Sequence, residues 1–319
     1  MQVSFAGSPD RIEARLVPEA GFEFDAFRIS GLPRRPGVAQ LRAFMLAGQA
    51  PRACRRILAA RRPDVVFGGG GYVAGPMVYA AWRRRIPAAL SEADAHLGLA
   101  NRLACRFARR VFLAYPIRVG PKFRVVGRPV PRREPVPAGE ARARFDLPPE
   151  GHVLLVFGGS QGAAALNEIA LSAFAEEGPA VLHVCGERYL SGLEGRVSRP
   201  DYRLLAWTDD FGAALDASTL ALARAGGSVW EVAAAGKPAV LVPSPNVTAD
   251  HQTKNARYFE AARGAVVVSE PAIARVPGVV RELLADDARL AAMGEAMRAA
   301  SKPGAADEIA EELIALARR

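Results

Sequence analysis

Short apolar runs, each followed by a turn and a segment of helical spacing, recur along almost the whole chain. In the first half they are QVSFAG (2–7), FEFDAF (22–27), DVVFG (64–68), PAALSEA (87–93), RVFLAY (110–115) and FRVVG (123–127). In the second half they fall at 153–157, 180–185, 202–207, 219–223, 238–243 and 265–268. Helices are predicted there over 163–175, 228–235, 251–263, 277–285 and 288–300. Strands that alternate with helices form βαβ units around a parallel sheet, because a parallel crossover needs a long connection. Five prolines between 129 and 148 interrupt the alternation and mark a linker. The spacing therefore predicts two doubly wound α/β domains, 1–132 and 151–300, joined by a linker at 133–150. An amphipathic C-terminal helix follows over 301–319, acidic early and basic late as the helix dipole favours, with a return to the first domain as one option.

A length of 319 residues gives each domain enough chain to bury a core. Cys54, Cys105 and Cys185 lie in separate segments without a CxxC pair, which argues against a zinc site or a disulfide framework. No signal peptide is recognised, and no apolar run is long enough to span a bilayer. Charge is unevenly divided. Residues 1–132 carry 23 Lys and Arg against 8 Asp and Glu, a net +15, whereas 133–319 carry 19 against 25, a net −6. The first half is thus suited to an anionic partner.

Three glycine-rich turns follow predicted strands. In VLLVFGGSQGAAALNE (153–168), Gly158–Gly162 stands between a strand and a helix. The layout fits either a hydrolase nucleophile elbow at Ser160 or a backbone cradle for phosphate at a helix N-terminus. In ARAGGSVWEVAAAGKP (223–238), Gly226-Gly227-Ser228 opens a helix with Glu231 in its first turn. Glu231 suits a ribose diol, or is simply a favourable first-turn acid. In VVFGGGGYVAGPMVYAAW (65–82), four glycines separate strand and helix, for an anion or for close packing. Gln252 and Asn255, three apart, share a helix face that suits sugar hydroxyls or solvent.

A hydrolase would need an acid and then a histidine after Ser160. Only His183 and His251 follow it; His183 sits in an apolar strand, and His251 would pair with Asp209 or Asp210. A second glycine turn serves a diphosphate better than a hydrolase. GxGxxG, the P-loop pattern and Asp-x-Asp are all absent, so neither a dinucleotide, a P-loop nucleotide nor a metal-bridged phosphate is signalled, and no cofactor is expected. In the basic half, Leu41, Phe44, Met45, Leu46, Ile57 and Leu58 mix with arginines, and Trp82 precedes Arg83-Arg84-Arg85. That mixture suits an anionic lipid surface, or a helix packed inward with an arginine-rich outer face, and no nucleic-acid motif accompanies it.

The segments GGSQGAAALNE, RAGGSVWEVAAAGKPAVLVP, DHQTKNA, GGGGYVAGPMVYAAW, LANRLACRFARRV and SPDRIEARLVPEAGFEFDAFRISGLPR together resemble the motifs of the MurG glycosyltransferases. The resemblance covers nearly the whole chain. It implies the GT-B fold, two Rossmann-like domains around a cleft. It also implies inverting, metal-independent transfer of N-acetylglucosamine from UDP-GlcNAc to lipid I, giving lipid II for peptidoglycan at the cytoplasmic face of the membrane. By matching position, Ser160 would contact the donor diphosphate and Thr208 the uracil through its backbone. Gly227, Ser228 and Val229 would face the diphosphate, Glu231 the ribose and Gln252 the GlcNAc hydroxyls. Gly69, Gly70, Gly71 and Tyr72 would help hold the acceptor pyrophosphate, and the surface around Trp82 would meet the membrane.

The chain departs from the family pattern in four places. The family's first strand, Gly-Gly-x-Gly-Gly-His loop and helix, expected ahead of 2–7, have no counterpart, so the first domain would lack its initial β-α unit. The His-Glu-Gln-Asn stretch reads Ser91-Glu92-Ala93-Asp94, which puts Asp94 at a donor-binding position. The arginine after Gly-Asn-Pro falls on Pro131, leaving Arg132 beside it as the donor-binding candidate. The 224–231 stretch is one residue short of the pattern. With the family histidine missing, Asp94 or His96 becomes the candidate base. Two other readings stand: a non-catalytic or truncated UDP-sugar-binding relative, and a transferase using another lipid acceptor.

Overall fold

The computed structural model describes residues 2–31 and 37–318, without the side chains of Ala39, Arg42 and Phe44. Residues 32–34 of the SPDRIEAR…SGLPR segment, and the Phe44 side chain, thus lie outside the described residues. The chain forms two compact units, 1–126 with 306–319, and 127–305.

The first unit runs β1 (Ser4–Gly7), α1 (Glu13–Glu19), β2 (Glu23–Ala26), α2 (Val38–Arg61), β3 (Val66–Gly68), α3 (Gly71–Arg83), β4 (Ala88–Glu92), α4 (Leu99–Ala104), β5 (Arg110–Leu113) and β6 (Phe123–Val125). The second opens with α5 (Ala138–Arg144), β7 (Val153–Phe157), α6 (Ala164–Phe174), β8 (Ala180–Val184), α7 (Glu187–Leu193), β9 (Tyr202–Leu205) and α8 (Phe211–Ala217). It continues with β10 (Leu220–Ala223), α9 (Val229–Ala234), β11 (Ala239–Leu241), α10 (His251–Ala261), β12 (Ala265–Val267), α11 (Val276–Leu284) and α12 (Asp287–Ala300), before α13 (Ala305–Ala317) ends the chain. The strands lie within the predicted apolar runs. Residues 138–144, inside the predicted linker, are helical: Pro137 caps α5, Glu140 stands in its first turn, and Arg142 and Arg144 stand in its last. Arg142 ties the helix down through Nη1 to Pro149 O at 2.7 Å and Nε to Ala217 O at 3.2 Å.

The second unit is a six-stranded, all-parallel sheet ordered β12-β11-β10-β7-β8-β9. Every residue of β7, β8 and β10 is buried, because helices cover both faces. Chain order reverses between β7 and β10, which pair in the register Phe157↔Ala223. Ligands of open α/β sheets bind beyond the carboxyl ends of the strands at such a switch point.

The first unit is divided. Strands β3-β4-β5-β6 form one parallel sheet and β1-β2 a separate two-stranded one. Among the described residues β1 pairs only with β2 and β3 only with β4, and Phe5 and Phe67 on those strands are each 42% exposed.

Helix α13 packs on the first unit. Ile309 and Leu316 are buried with Ala89, Phe112 and Val126, and Arg110 Nε lies 3.0 Å from Glu312 Oε2. Truncating a buried Leu costs about 2–5 kcal/mol. Leu316→Ala is therefore expected to raise amide hydrogen exchange in β4 and β5 by the corresponding factor while β7 and β10 stay protected, as read by mass spectrometry of the exchanged peptides.

Candidate functional site: two glycine turns at one switch point

Because β7 and β10 are neighbours in register, the turns that follow them are adjacent. The first turn is shaped by close packing. A Cβ on Gly162 would lie 1.9 Å from Cys185 O, and one on Gly158 would lie 2.4 Å from Ala163 N. Gly159 and Gly162 take positive φ (84° and 66°), and Gly162 N donates to Gly159 O at 2.9 Å. Ser160 is exposed at the tip and is not among the residues with positive φ. The strain of this turn thus sits on glycines and not on the serine, unlike a nucleophile elbow.

Neither histidine that follows Ser160 in the chain is poised to serve it as a base. His183 is fully buried in β8, where its Nδ1 lies 2.8 Å from the Tyr202 hydroxyl and its Nε2 3.0 Å from Asn167 Oδ1. Asn167 Nδ2 donates to Cys185 O at 3.0 Å, which orients the amide so that Oδ1 accepts from His183 Nε2. Burial lowers the His183 pKa to about 4, so the ring is a neutral strut. His251 Nδ1 is engaged with Thr248 O at 2.9 Å. Asp210 Oδ1 caps α8 by accepting from Ala213 N at 2.9 Å, and Asp209 accepts from Trp207 Nε1 at 3.1 Å. The hydrolase reading of the sequence is not supported by these contacts.

The second turn carries Gly226, Gly227 and Ser228 into α9. The amides of Val229, Trp230 and Glu231 donate to Gly226, Gly227 and Ser228 carbonyls at 3.3, 3.2 and 3.0 Å. The Gly227 and Ser228 amides take no part in those bonds. Val229 is fully buried, backbone included. Gln252 Oε1 accepts from Ser244 N at 2.9 Å, while its Nε2 lies 4.0 Å from where a Gly226 Cβ would be. Gln252 is thereby held beside the turn with its amide donors directed to that side. Asn255 is buried and donates to Ala225 O at 3.1 Å. It supports the turn from below and offers no sugar-binding face, which corrects one reading of the Gln252/Asn255 spacing. Thr208 Oγ1 accepts from Asp210 N at 3.2 Å. Burial raises the Glu231 carboxyl above its ordinary range, against the opposing pull of Arg128 and then Arg133.

The strap leading into α5 adds a residue that sequence reasoning missed. Arg133 is paired with Asp216, whose Oδ2 also accepts from Val136 N at 2.9 Å. Burial pushes the Asp216 carboxyl up, but the Arg133 and Val136 hydrogen bonds outweigh it and hold the carboxyl below its usual range. Arg132 is exposed. It is Arg128 that reaches the glycine turn: a Cβ on Gly227 would lie 2.3–2.6 Å from the Arg128 guanidinium atoms. The sequence signal was an arginine at the second position of Gly-Arg-Pro, where the family pattern has Asn.

In the first unit, β3 feeds Gly68–Gly71 and α3. Gly70 and Gly71 take φ of 104° and 70°, and a Cβ on Gly68 would lie 2.8 Å from Leu90 Cδ2. Here too glycine meets a conformational and packing need. Gly69 has open space around it, and the Tyr72 hydroxyl accepts from Arg11 Nε at 3.2 Å. The loop bearing Asp94 and His96 hangs from the buried Glu92 carboxylate. Glu92 accepts from Asp94 N at 3.3 Å, Gly98 N at 3.0 Å and Asn101 Nδ2 at 3.0 Å. Gly98 is the N-cap of α4. Among the described residues there is no cluster of three metal-ligating side chains.

The N-terminal domain model of glycosyltransferase family 28 matches residues 1–113, and the C-terminal domain model matches 153–309. A UDP-N-acetylglucosamine--N-acetylmuramyl-(pentapeptide) pyrophosphoryl-undecaprenol N-acetylglucosamine transferase of Salinibacter ruber is 41% identical over 330 residues, covering 100% of this chain and 89% of the relative. Its namesake from Rubrobacter xylanophilus is 37% identical, covering 99% of this chain and 96% of its own. Among solved structures, Acinetobacter baumannii MurG superposes with a TM-score of 0.80 at 27% identity, over 98% of this chain and 90% of its own.

The buried His183 makes a pH prediction. Its folded pKa of about 4 lies below the reference 6.5, so on acidification the unfolded chain takes up the proton first. The contribution is complete above pH 6.5 and is lost as pH falls towards 4, by about 3 kcal/mol in all. Urea unfolding of the second unit should show this loss, and His183→Gln should flatten it.

Proposed function

The chain belongs to the MurG family of glycosyltransferases, whose two family-28 domains it carries in order, and from that premise we propose that it transfers N-acetylglucosamine from UDP-GlcNAc to lipid I. The product would be lipid II, formed at the cytoplasmic face of the membrane. The observation that carries this reading is the pair of glycine turns at the β7/β10 switch point, with Glu231 and Gln252 beside the second. Backbone amides and a guanidinium at such a turn stabilise negative charge, and the charge that grows in this reaction is on the departing UDP. Ser160 and the Gly227-Ser228-Val229 turn would hold the diphosphate. Thr208 would meet the uracil through its backbone, Glu231 the ribose and Gln252 the sugar. The acceptor hydroxyl would attack the anomeric carbon from the opposite side, inverting it, while Asp94 or His96 takes its proton. Gly69, Gly70, Gly71 and Tyr72 would help hold the acceptor pyrophosphate.

The membrane reading rests on the first unit. Among the described residues no helix is long and apolar enough to cross a membrane. Helix α3 contacts both α2 and α4, and these three elements expose Leu41, Met45, Trp82, Leu99 and Leu103 beside Arg83, Arg84 and Arg102. Apolar side chains among arginines suit an interface with anionic lipid. Trp82→Ala with Met45→Asp is expected to lower cosedimentation with anionic vesicles severalfold, leaving UDP binding unchanged.

A second reading, a UDP-sugar-binding relative without transfer, is favoured by the divided sheet of the first unit. Transfer of labelled GlcNAc to a lipid I analogue decides between them, and a panel of other lipid acceptors tests the acceptor. If Ser160 is a diphosphate ligand, Ser160→Ala reduces kcat/KM by about tenfold, the worth of one charge-assisted hydrogen bond. A nucleophile would lose all activity. Full activity in the Asp94→Ala/His96→Ala double variant would remove both residues as the base.

A further inference from the structure

The second glycine turn has a guanidinium lying on it. Gly227 is not among the glycines with positive φ, so backbone freedom does not explain the glycine. Space does: a Cβ there would enter the Arg128 guanidinium, 2.3 Å from Nη1, 2.4 Å from Cζ and 2.6 Å from Nη2. Arg128 is half-buried, and among the described residues its guanidinium takes no hydrogen bond and no ion pair. Such a group holds five N–H donors in a rigid fork that matches the oxygens of a phosphate. Its neighbour on the strap, Arg133, is committed to Asp216 and Arg132 is exposed, so Arg128 is the strap arginine that stands on the turn.

We propose that Arg128 binds the diphosphate of the nucleotide donor at the Gly227 turn, in the role for which the sequence offered Arg132, the neighbour of the matching position Pro131. The proposal rests on the donor reading above and assigns its cation. Without ligand the guanidinium lies against Gly227, close enough to the half-buried Glu231 to hold that carboxyl down against its desolvation. With ligand its N–H groups donate to phosphate oxygens while Glu231 is left to the ribose. The strap thus becomes part of the donor site, and its anchor at Asp216 fixes how far Arg128 can move.

The test is calorimetry with UDP, UMP and uridine on the intact protein, its Arg128→Ala, Arg128→Lys and Arg132→Ala variants, and Gly227→Ala. A charged hydrogen-bond pair is worth enough to weaken UDP binding by about 10- to 100-fold in Arg128→Ala. Uridine binding should stay within about twofold, since it carries no phosphate for the guanidinium to lose. Arg128→Lys restores part of the loss, because an ammonium keeps the charge without the fork. The three atoms nearest a Cβ at Gly227 all belong to the far end of Arg128, so Gly227→Ala should reproduce the loss in a folded protein even if Arg128→Ala folds poorly. Equal losses for uridine and UDP would make Arg128 a structural counter-charge for Glu231 and overturn the proposal. So would unchanged UDP binding, or a loss that appears in Arg132→Ala instead. Failure of the unsubstituted protein to bind UDP at all would be a different result, since it removes the donor reading itself.

Discussion

The pairing of β7 with β10 governs what the second unit can bind. Two strands far apart in sequence lie side by side, in the register Phe157↔Ala223, at the point where chain order reverses. Both strands end at the same edge of the sheet, so both following turns face one place. The rest serves that edge. Cys185 O presses on Gly162, Asn255 holds Ala225 O, and Gln252 is tied to Ser244 N. None of these residues has to touch a ligand to matter. Each fixes a turn whose backbone is the proposed point of contact.

Glycine at these turns serves different needs at different positions. Gly159, Gly162, Gly70 and Gly71 satisfy positive φ, Gly158 and Gly68 satisfy packing, and Gly227 makes room for a side chain. A motif read as letters merges these roles, which is why GGSQG matched two unrelated chemistries. The dihedral angles separate them, because strain on Ser160 would be needed for a nucleophile and the strain is on its neighbours.

Apolar alternation made the strands legible, since buried parallel strands are short continuous apolar runs whatever their partners. Helices α5, α7 and α8 were less so. Helix α5 begins straight after the proline-rich strap, and its few apolar residues give weak periodicity, so local composition concealed it. Helix α8 is held by the Asp210 cap and by contact with α5, and α7 follows the left-handed Gly186. In the site, residues on turns after strands were readable from type and spacing. The bonds that join Asn167, His183 and Tyr202 were not, because they run between separate elements, a helix and two strands, with partners 16 and 19 residues apart. Arg128 was missed because only the fold brings residue 128 to residue 227. The division of the first unit's sheet likewise follows from pairing and not from any local pattern.

The second unit is one uninterrupted stretch of chain, while the first is made from both ends of it. The chain enters and leaves the second unit at neighbouring points, for Gly127 packs directly on Lys302. Synthesis from the N-terminus therefore completes the two units in the reverse of their order of appearance. The second can close as soon as 127–305 is free of the ribosome, whereas the surface around Phe112 and Ala89 stays uncovered until Ile309 and Leu316 arrive. The first unit is begun first and finished last. During that interval its apolar face is what a chaperone, or another nascent chain, would encounter.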